Sequence, residues 1–414
     1  MMRPPVIRRT SCLLCDSTRV ELAVSLQPSP IGDAYVPAER LAEPQPSYPL
    51  DLYLCRTCGH VQLKDVVNPE VLFADYIYYT SASTSFVEHF RRYADELTQR
   101  FLGSPSALVV DIGSNDGTLL RFFRDKGLRV LGIDPAANIA KQATAAGIET
   151  LPSFFTSELA RRIRSERGPA ACVTANNVFA HSDKLPDMAE GIRELLAPDG
   201  LFVFEVSYLV DIVDKLLFDT VYHEHLSYHS IKPLCSFLSR HGLELFDVTR
   251  LSSKGGSIRG VAQRAGADRP RAPIIDELLK LESKMGLDQP DAFKAVGRTL
   301  AAVKNDLHGL LARCRAAGQV VAGYGASTTV TSLIYNFELG PSLDYLVDDN
   351  PARHGLFSPG LHLPVLPSET LYERKPDVVI VLAWQYAEPI LKKNAKFLEQ
   401  GGRFIIPLPR VRMV

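Results

Sequence analysis

The chain has 414 residues, more than one ordinary hydrophobic core supports, so two or three domains are expected. Hydrophobic residues make up 46% and charged residues 22%, which excludes a disordered or fibrous chain. A formal net charge of −1 leaves no basic surplus for sequence-independent binding to nucleic acid. Residues 1–10 lack the apolar core of a signal peptide, and the apolar stretch near 201–210 is broken by Glu205 and too short to span a bilayer. The expectation is a soluble, cytoplasmic protein that engages neither nucleic acid nor membrane and is a monomer. Its seven cysteines then stay reduced, and paired cysteine spacings point to metal rather than disulfides.

The first expected domain covers residues 1–70. It holds Cys12-x-x-Cys15 and Cys55-x-x-Cys58, the second followed by Gly59-His60. Two such knuckles bring four thiolates to one tetrahedral Zn²⁺. Four protein ligands leave no open position for water, so the site is structural. Cys172, Cys235 and Cys314 are scattered and expected to be buried. Between the knuckles, Gln27 to Pro49 is proline-rich and aperiodic, and is expected to wrap the metal core as loops and short strands. Asn68 to Thr84 is dense in tyrosines and hydroxyls. It reads equally well as a substrate-facing lid, with Tyr76 donating hydrogen bonds, or as an interdomain connector with half-buried tyrosines.

The second expected domain, 71–265, alternates strands and helices, which means βαβ units and a parallel sheet. Strands are predicted at 107–111, 129–133, 171–175 and 201–206. After the first comes Asp111-Ile112-Gly113-Ser114-Asn115-Asp116-Gly117, a strand end, a glycine turn and a helix start. Gly113 and Gly117 permit backbone shapes that a Cβ forbids, and they let a ligand approach. The run is neither the dinucleotide fingerprint G-x-G-x-x-G nor a phosphate-binding P-loop. It resembles motif I of class I S-adenosylmethionine (SAM) methyltransferases, which implies Asp111, Gly113, Asn115 and Gly117 as cofactor residues. The next strand ends in Asp134, placed to accept the ribose hydroxyls.

Three further runs carry chemistry. Asn176-Asn177-Val178-Phe179-Ala180-His181 follows the strand at 171–175, on the ligand edge of the sheet, so Asn176 and Asn177 are cofactor candidates and His181 a substrate candidate. Tyr222-His223-Glu224-His225-Leu226-Ser227-Tyr228-His229 follows a helical stretch, Leu209–Phe218. It is the densest titratable cluster, and a neighbouring carboxylate or hydroxyl can tune a histidine. It is not a zinc-protease motif, and the spacing does not say which histidine acts. Ser253 to Arg259, with Gly255 and Gly256, is read as a phosphate holder or as a hairpin turn. The third expected domain, 266–414, opens with helices over 269–311. It then repeats the strand–turn–helix theme at Gly323-Tyr324-Gly325-Ala326-Ser327-Thr328 and has strands near 343–347 and 377–382. Gly323 and Gly325 read as a second nucleotide site or as a fold copy without its own ligand.

The order of zinc knuckles, SAM loop, Ala-Asn-Asn-Val-Phe-Ala-His, Tyr-His-Glu-His-Leu-Ser-Tyr, Gly-Gly-Ser-x-Arg, Gly-Tyr-Gly-Ala and Val-Asp-Asp-Asn-Pro resembles the sugar C-methyltransferases of antibiotic deoxysugar biosynthesis over essentially the whole chain. The tetronitrose C-3′-methyltransferase type is the most similar. Ser327-Thr328-Thr329 departs from that pattern, which carries a basic residue there. The resemblance implies an α/β chain with a small zinc-binding domain, a Rossmann-like class I SAM domain and a second Rossmann-like C-terminal domain, and an active site in the cleft between the last two. It implies SAM as methyl donor and a dTDP-linked 4-keto-deoxysugar as substrate. His225 would act as base with Tyr222 and Glu224 assisting, while Tyr76 and His181 bind the sugar or the enolate oxygen. The competing expectations are an O- or N-methyltransferase and a non-enzymatic zinc-ribbon protein that binds SAM.

Overall fold

A computed structural model describes residues 6–73, 79–103 and 106–414. The N-terminal domain is built on an antiparallel sheet of β1 (Val20–Val24), β2 (Leu52–Cys55) and β3 (Val61–Leu63). Its knuckles converge as the spacing predicts. The Sγ atoms of Cys12, Cys15, Cys55 and Cys58 lie within 4.8 Å of one another, with Cys12–Cys58 at 3.7 Å and Cys15–Cys55 at 3.5 Å. A tetrahedron with metal–sulfur bonds of ~2.3 Å has edges of about 3.8 Å, so these thiolates fit one zinc ion.

The middle domain carries a seven-stranded sheet. Its parallel strands are β4 (Leu108–Ile112), β5 (Arg129–Ile133), β6 (Thr150–Leu151), β7 (Ala170–Asn176) and β8 (Leu196–Ser207). All five residues of β4 are buried, as a parallel strand covered on both faces requires. The chain after β8 forms a helix over Leu209–Asp214, shorter than the predicted 209–218, because Leu216 turns left-handed at φ 55°. It then contributes β9 (Ser227–Tyr228), followed by the antiparallel pair β10 (Leu243–Leu251) and β11 (Ser257–Arg264). The sheet order is β10-β11-β8-β7-β4-β5-β6. Helix α1 (Thr84–Phe101) packs beside α2 (Thr118–Arg124), which starts directly at the glycine turn.

Two helices, α3 (Pro273–Met285) and α4 (Pro290–Ala316), bridge to the third domain. That domain is a six-stranded sheet containing β12 (Val321–Tyr324), β13 (Tyr345–Asp348) and β14 (Val378–Val381), with helix α5 (Thr328–Asn336) following β12. The strand–turn–helix repeat is therefore real. Among the described residues no helix is long and apolar enough to cross a membrane.

Two long-range connections tie these units together. Strand β9 belongs to the zinc domain's sheet, not to the middle one: Ser227 and Tyr228 pair antiparallel with Gln62 and Val61. The proline-rich stretch also departs from expectation. It does not wrap the metal core but lies along the third domain. Val36 bridges Phe357, Thr331 Oγ1 donates to the Gly32 carbonyl at 2.8 Å, the Gly360 amide donates to Gln45 at 2.7 Å, and Asp33 pairs with Arg353. Its aperiodic sequence is that of a segment whose polar groups bond partly within the segment, as between Ser29 and Tyr48, and partly to a distant partner. One apolar core accordingly runs from Leu54 and Val61 through Val110 and Phe204 to Leu333 and Ile380.

The metal knuckle should thus hold the residue 226–229 segment in place. Stripping the metal with a chelator should raise hydrogen exchange in residues 52–63 and 226–229 together, while β4, β5 and β7 keep their protection. Unchanged exchange at 226–229 would show that the loop does not depend on the knuckle.

Candidate active site

The glycine turn uses three left-handed residues in five: Gly113 (φ 71°), Asn115 (φ 51°) and Gly117 (φ 75°). At Gly113 a Cβ would stand 2.3 Å from Val178 Cγ2, so the backbone approaches the β7 loop as only glycine allows. Asp134, at the end of β5, clasps the turn: its carboxylate accepts from the Asn115 amide and the Ala136 amide, each at 2.9 Å. The Asn115 side chain accepts from the Thr80 amide at 2.9 Å, and Asp116 from the Ser81 amide at 2.9 Å. The described part of the 68–84 segment is therefore seated on the turn. Tyr76 lies outside the described residues.

Asp111 is buried at the β4 end. Thr174 Oγ1 donates to it at 2.6 Å, yet burial pushes its carboxyl up to about 7, with the charge of Asp134 adding to the shift. Asn176 is half-buried, and both of its side-chain heteroatoms are shielded from solvent and unbonded among the described residues, as in a group awaiting a ligand. Asn177 is left-handed (φ 56°), and its amide donates to the Glu205 carbonyl. Asp111, Gly113, Asn115, Asp134, Asn176 and Asn177 all line one cavity of about 490 Å³. Gly117 does not; it starts α2, and a Cβ there would stand 2.9 Å from Ile148 Cγ2. The cavity is large enough for a nucleoside-sized ligand, and its acidic and amide groups suit a cationic amino-acid moiety and a ribose. The set fits SAM.

The same cavity reaches Tyr222, Glu224, His225 and His181. The other two histidines of the cluster face elsewhere: His223 bonds the Tyr48 carbonyl, and His229 stacks on Phe179 at 5.6 Å. The Thr220 carbonyl can only accept, so the 2.9 Å contact places the proton of His225 on Nδ1. Nε2 then carries a lone pair, 2.8 Å from the Tyr222 hydroxyl. Burial, with His181 and Lys254 adding to it, holds the imidazole well below its usual value, so it is neutral at pH 7. The His181 ring is 5.1 Å away, and burial takes it down to about 3. Glu224 is pushed up to about 7, first by burial. The loop is fixed from two sides. The Leu226 and Ser227 amides donate to the Ala180 carbonyl, and the Leu63 amide donates to the Leu226 carbonyl.

Elsewhere the expectations divide. Residues 253–256 form the hairpin turn between β10 and β11, residues 257–259 begin β11, and Arg259 is spent on ion pairs with Glu205 and Glu96. In β12, Gly323 is a packing glycine whose Cβ would meet Leu382 at 2.5 Å and Leu346 at 2.7 Å. Sequence reading missed the aromatic walls Phe86, Phe90, Phe154 and Phe155. Only Phe154 and Phe155 left a signal, as an aromatic pair just past the end of β6.

Comparison with known proteins agrees with this geometry. Residues 12–73 match the model of a zinc binding domain, residues 86–248 that of a methyltransferase domain, and residues 252–409 that of the C-methyltransferase C-terminal domain. The chain is 35% identical over 404 residues to the C-methyltransferase NovU of Streptomyces niveus, covering 97% of this chain and 96% of that one. Among solved structures it overlaps the SAM-bound magnesium protoporphyrin IX methyltransferase of Synechocystis at 15% identity and a TM-score of 0.34, covering 47% of this chain and 89% of that one. It overlaps the CurJ carbon methyltransferase at 15% identity and a TM-score of 0.35, covering 45% and 57%. A whole-length relative, three matched domains and a preformed cofactor turn together place this chain in the family of SAM-dependent C-methyltransferases.

Proposed function

We propose that this protein methylates carbon C-3 of a dTDP-linked 4-keto-deoxysugar, with His225 as the base. The observation that carries the reading is the Thr220–His225–Tyr222 arrangement. It gives a neutral imidazole with its lone pair on Nε2, in the cavity that the glycine turn also lines. A keto group acidifies the hydrogen on the neighbouring carbon. His225 Nε2 removes that proton, and the carbon becomes nucleophilic through its enolate. SAM supplies the methyl group as an electrophile on sulfonium. Asp111, Gly113, Asn115, Asp134, Asn176 and Asn177 hold it, with Gly117 shaping their turn.

Tyr222 orients the imidazole and Glu224 assists. His181 would bind the sugar or the enolate oxygen, the role that the resemblance also implies for Tyr76. A keto-sugar as the acceptor is supported by a base suited to C–H removal and by the whole-chain resemblance to sugar C-methyltransferases. A hydroxyl acceptor would need the same base, so the product decides between the two. Incubation with SAM and a panel of dTDP-4-keto-sugars should give a methyl singlet on a quaternary ring carbon in the NMR spectrum of the product. A methyl on oxygen or nitrogen would overturn the reading.

Positioned acid–base help contributes roughly 10²–10⁴-fold. His225→Asn should lower turnover by at least about 10²-fold while S-adenosylhomocysteine still binds by calorimetry; near-normal turnover would remove His225 from the role.

The raised Asp111 value predicts a pH dependence of cofactor binding. Below about pH 7 this carboxyl is protonated, and a cationic ligand binds the carboxylate form better. SAM affinity should rise severalfold from about pH 6 to about pH 7.5, and Asp111→Asn should flatten the profile. A profile that stays steep in the variant would assign the titration to another group.

A further inference from the structure

The turn between β10 and β11 holds a lysine in a conformation that favours glycine. Lys254 has φ 51° and ψ 35°. The turn around it is over-determined. The Gly256 amide and the Ser257 hydroxyl both donate to the Ser253 carbonyl at 3.0 Å, and Lys215 Nζ donates to the Gly255 carbonyl at 2.6 Å. A Cβ at Gly256 would stand 2.3 Å from Asp211 Cγ, and Asp211 is itself paired with Lys215 and Arg250. Strained backbone of this kind persists only where its surroundings enforce it, and it gathers at functional sites.

The strain delivers an ammonium to the reaction cavity. Lys254 lines it together with Glu224, His225 and His181, and it also lines the neighbouring cavity beside Trp384 and Gln385. Its Nζ stands 5.7 Å from the centroid of Phe86, which likewise borders both spaces. Among the described residues the ammonium has no hydrogen bond and no ion pair. Lys184, the other lysine on the cavity wall, is exposed. Burial lowers the Lys254 ammonium from its usual value and the charges of Glu224 and Glu205 oppose that shift, while the lysine's own charge helps keep His181 and His225 neutral.

We propose that Lys254 stabilises the negative charge that develops on the substrate's carbonyl oxygen. This rests on the functional reading above. When His225 Nε2 takes the proton, the C–H bond breaks and its electron pair forms the C=C bond of the enolate. The carbonyl π pair moves to oxygen, and nothing is oxidised or reduced. With both neighbouring histidines neutral, Lys254 is the side-chain cation placed beside them to meet that oxygen. Preorganised charge at a developing oxyanion acts most strongly in a site that excludes water. The same lysine could instead serve the diphosphate of the substrate, a role that would show in binding rather than in proton removal.

The full-length, metal-loaded protein can be assayed without SAM for deuterium wash-in at the carbon beside the keto group of dTDP-4-keto-sugars. Wild type should exchange. Lys254→Met should slow both exchange and methyl transfer at saturating substrate by roughly 10²–10³-fold, while dTDP and S-adenosylhomocysteine bind as before. Lys254→Arg should recover most of the loss. Lys254→Gly relaxes the backbone and removes the ammonium, so it should fold at least as stably as wild type and still fail to exchange. Normal exchange in the Met and Gly variants would overturn the assignment, as would a defect confined to KM and dTDP affinity. Absence of exchange in wild type with every keto-sugar would instead sink the functional reading, a distinct result.

Discussion

The active site depends on a shared strand. Ser227 and Tyr228 belong by sequence to the middle domain, yet their backbone completes the zinc domain's sheet through Gln62 and Val61. His225 sits two residues before that strand. Its loop is therefore clamped between Leu63 of β3 and the Ala180 carbonyl in the loop after β7. His60, two residues past the last knuckle cysteine, adds a side-chain contact to Ser227 Oγ at 3.2 Å inside the same interface. Contacts from the zinc domain thus hold the segment that carries the imidazole, much as outer contacts orient ligands at other preorganised sites.

Burial sets the chemistry of this loop. Desolvation lowers His225 and His181, which stay neutral at pH 7, and raises Glu224 and Asp111, which titrate close to neutral pH. A neutral imidazole is a competent base, whereas a protonated one is not. The Thr220 carbonyl settles which nitrogen is free, and the Tyr222 hydroxyl marks the direction of its lone pair.

Much of this was legible in the residues because it is local. Cysteine pairs three apart, a glycine turn after an apolar strand and a carboxylate ending the next strand are short-range patterns with steric or ligand-geometry causes, and each forms where it was read. Tyr222–His229 was legible as a cluster, but the distinction of His225 from His223 and His229 was not. It depends on Thr220, Tyr48 and Phe179, whose positions follow from tertiary packing. Gln27–Pro49 was misplaced for the same reason. Its partners are Asn336, Thr331, Arg353 and Phe357, some 300 positions away, and no periodicity encodes them. Lys254 was visible in its glycine-flanked run. The left-handed turn that aims it was not.

The borrowed strand also bears on the order in which the molecule can be finished. The knuckles are complete once residue 58 has been made, but the sheet beneath them lacks its edge until Tyr228 has emerged, and the proline-rich segment has nothing to lie against until residues 328–360 exist. The zinc domain precedes the middle domain in the chain yet is closed only after it. Its exposed edge, β3, must wait through some 165 residues of synthesis (from Leu63 to Tyr228) with unpaired amides and carbonyls. Domains that fold one after another can be exchanged between proteins as cassettes. Here a fragment ending after residue 70 lacks a strand of its own sheet, so the zinc domain is not a self-contained cassette.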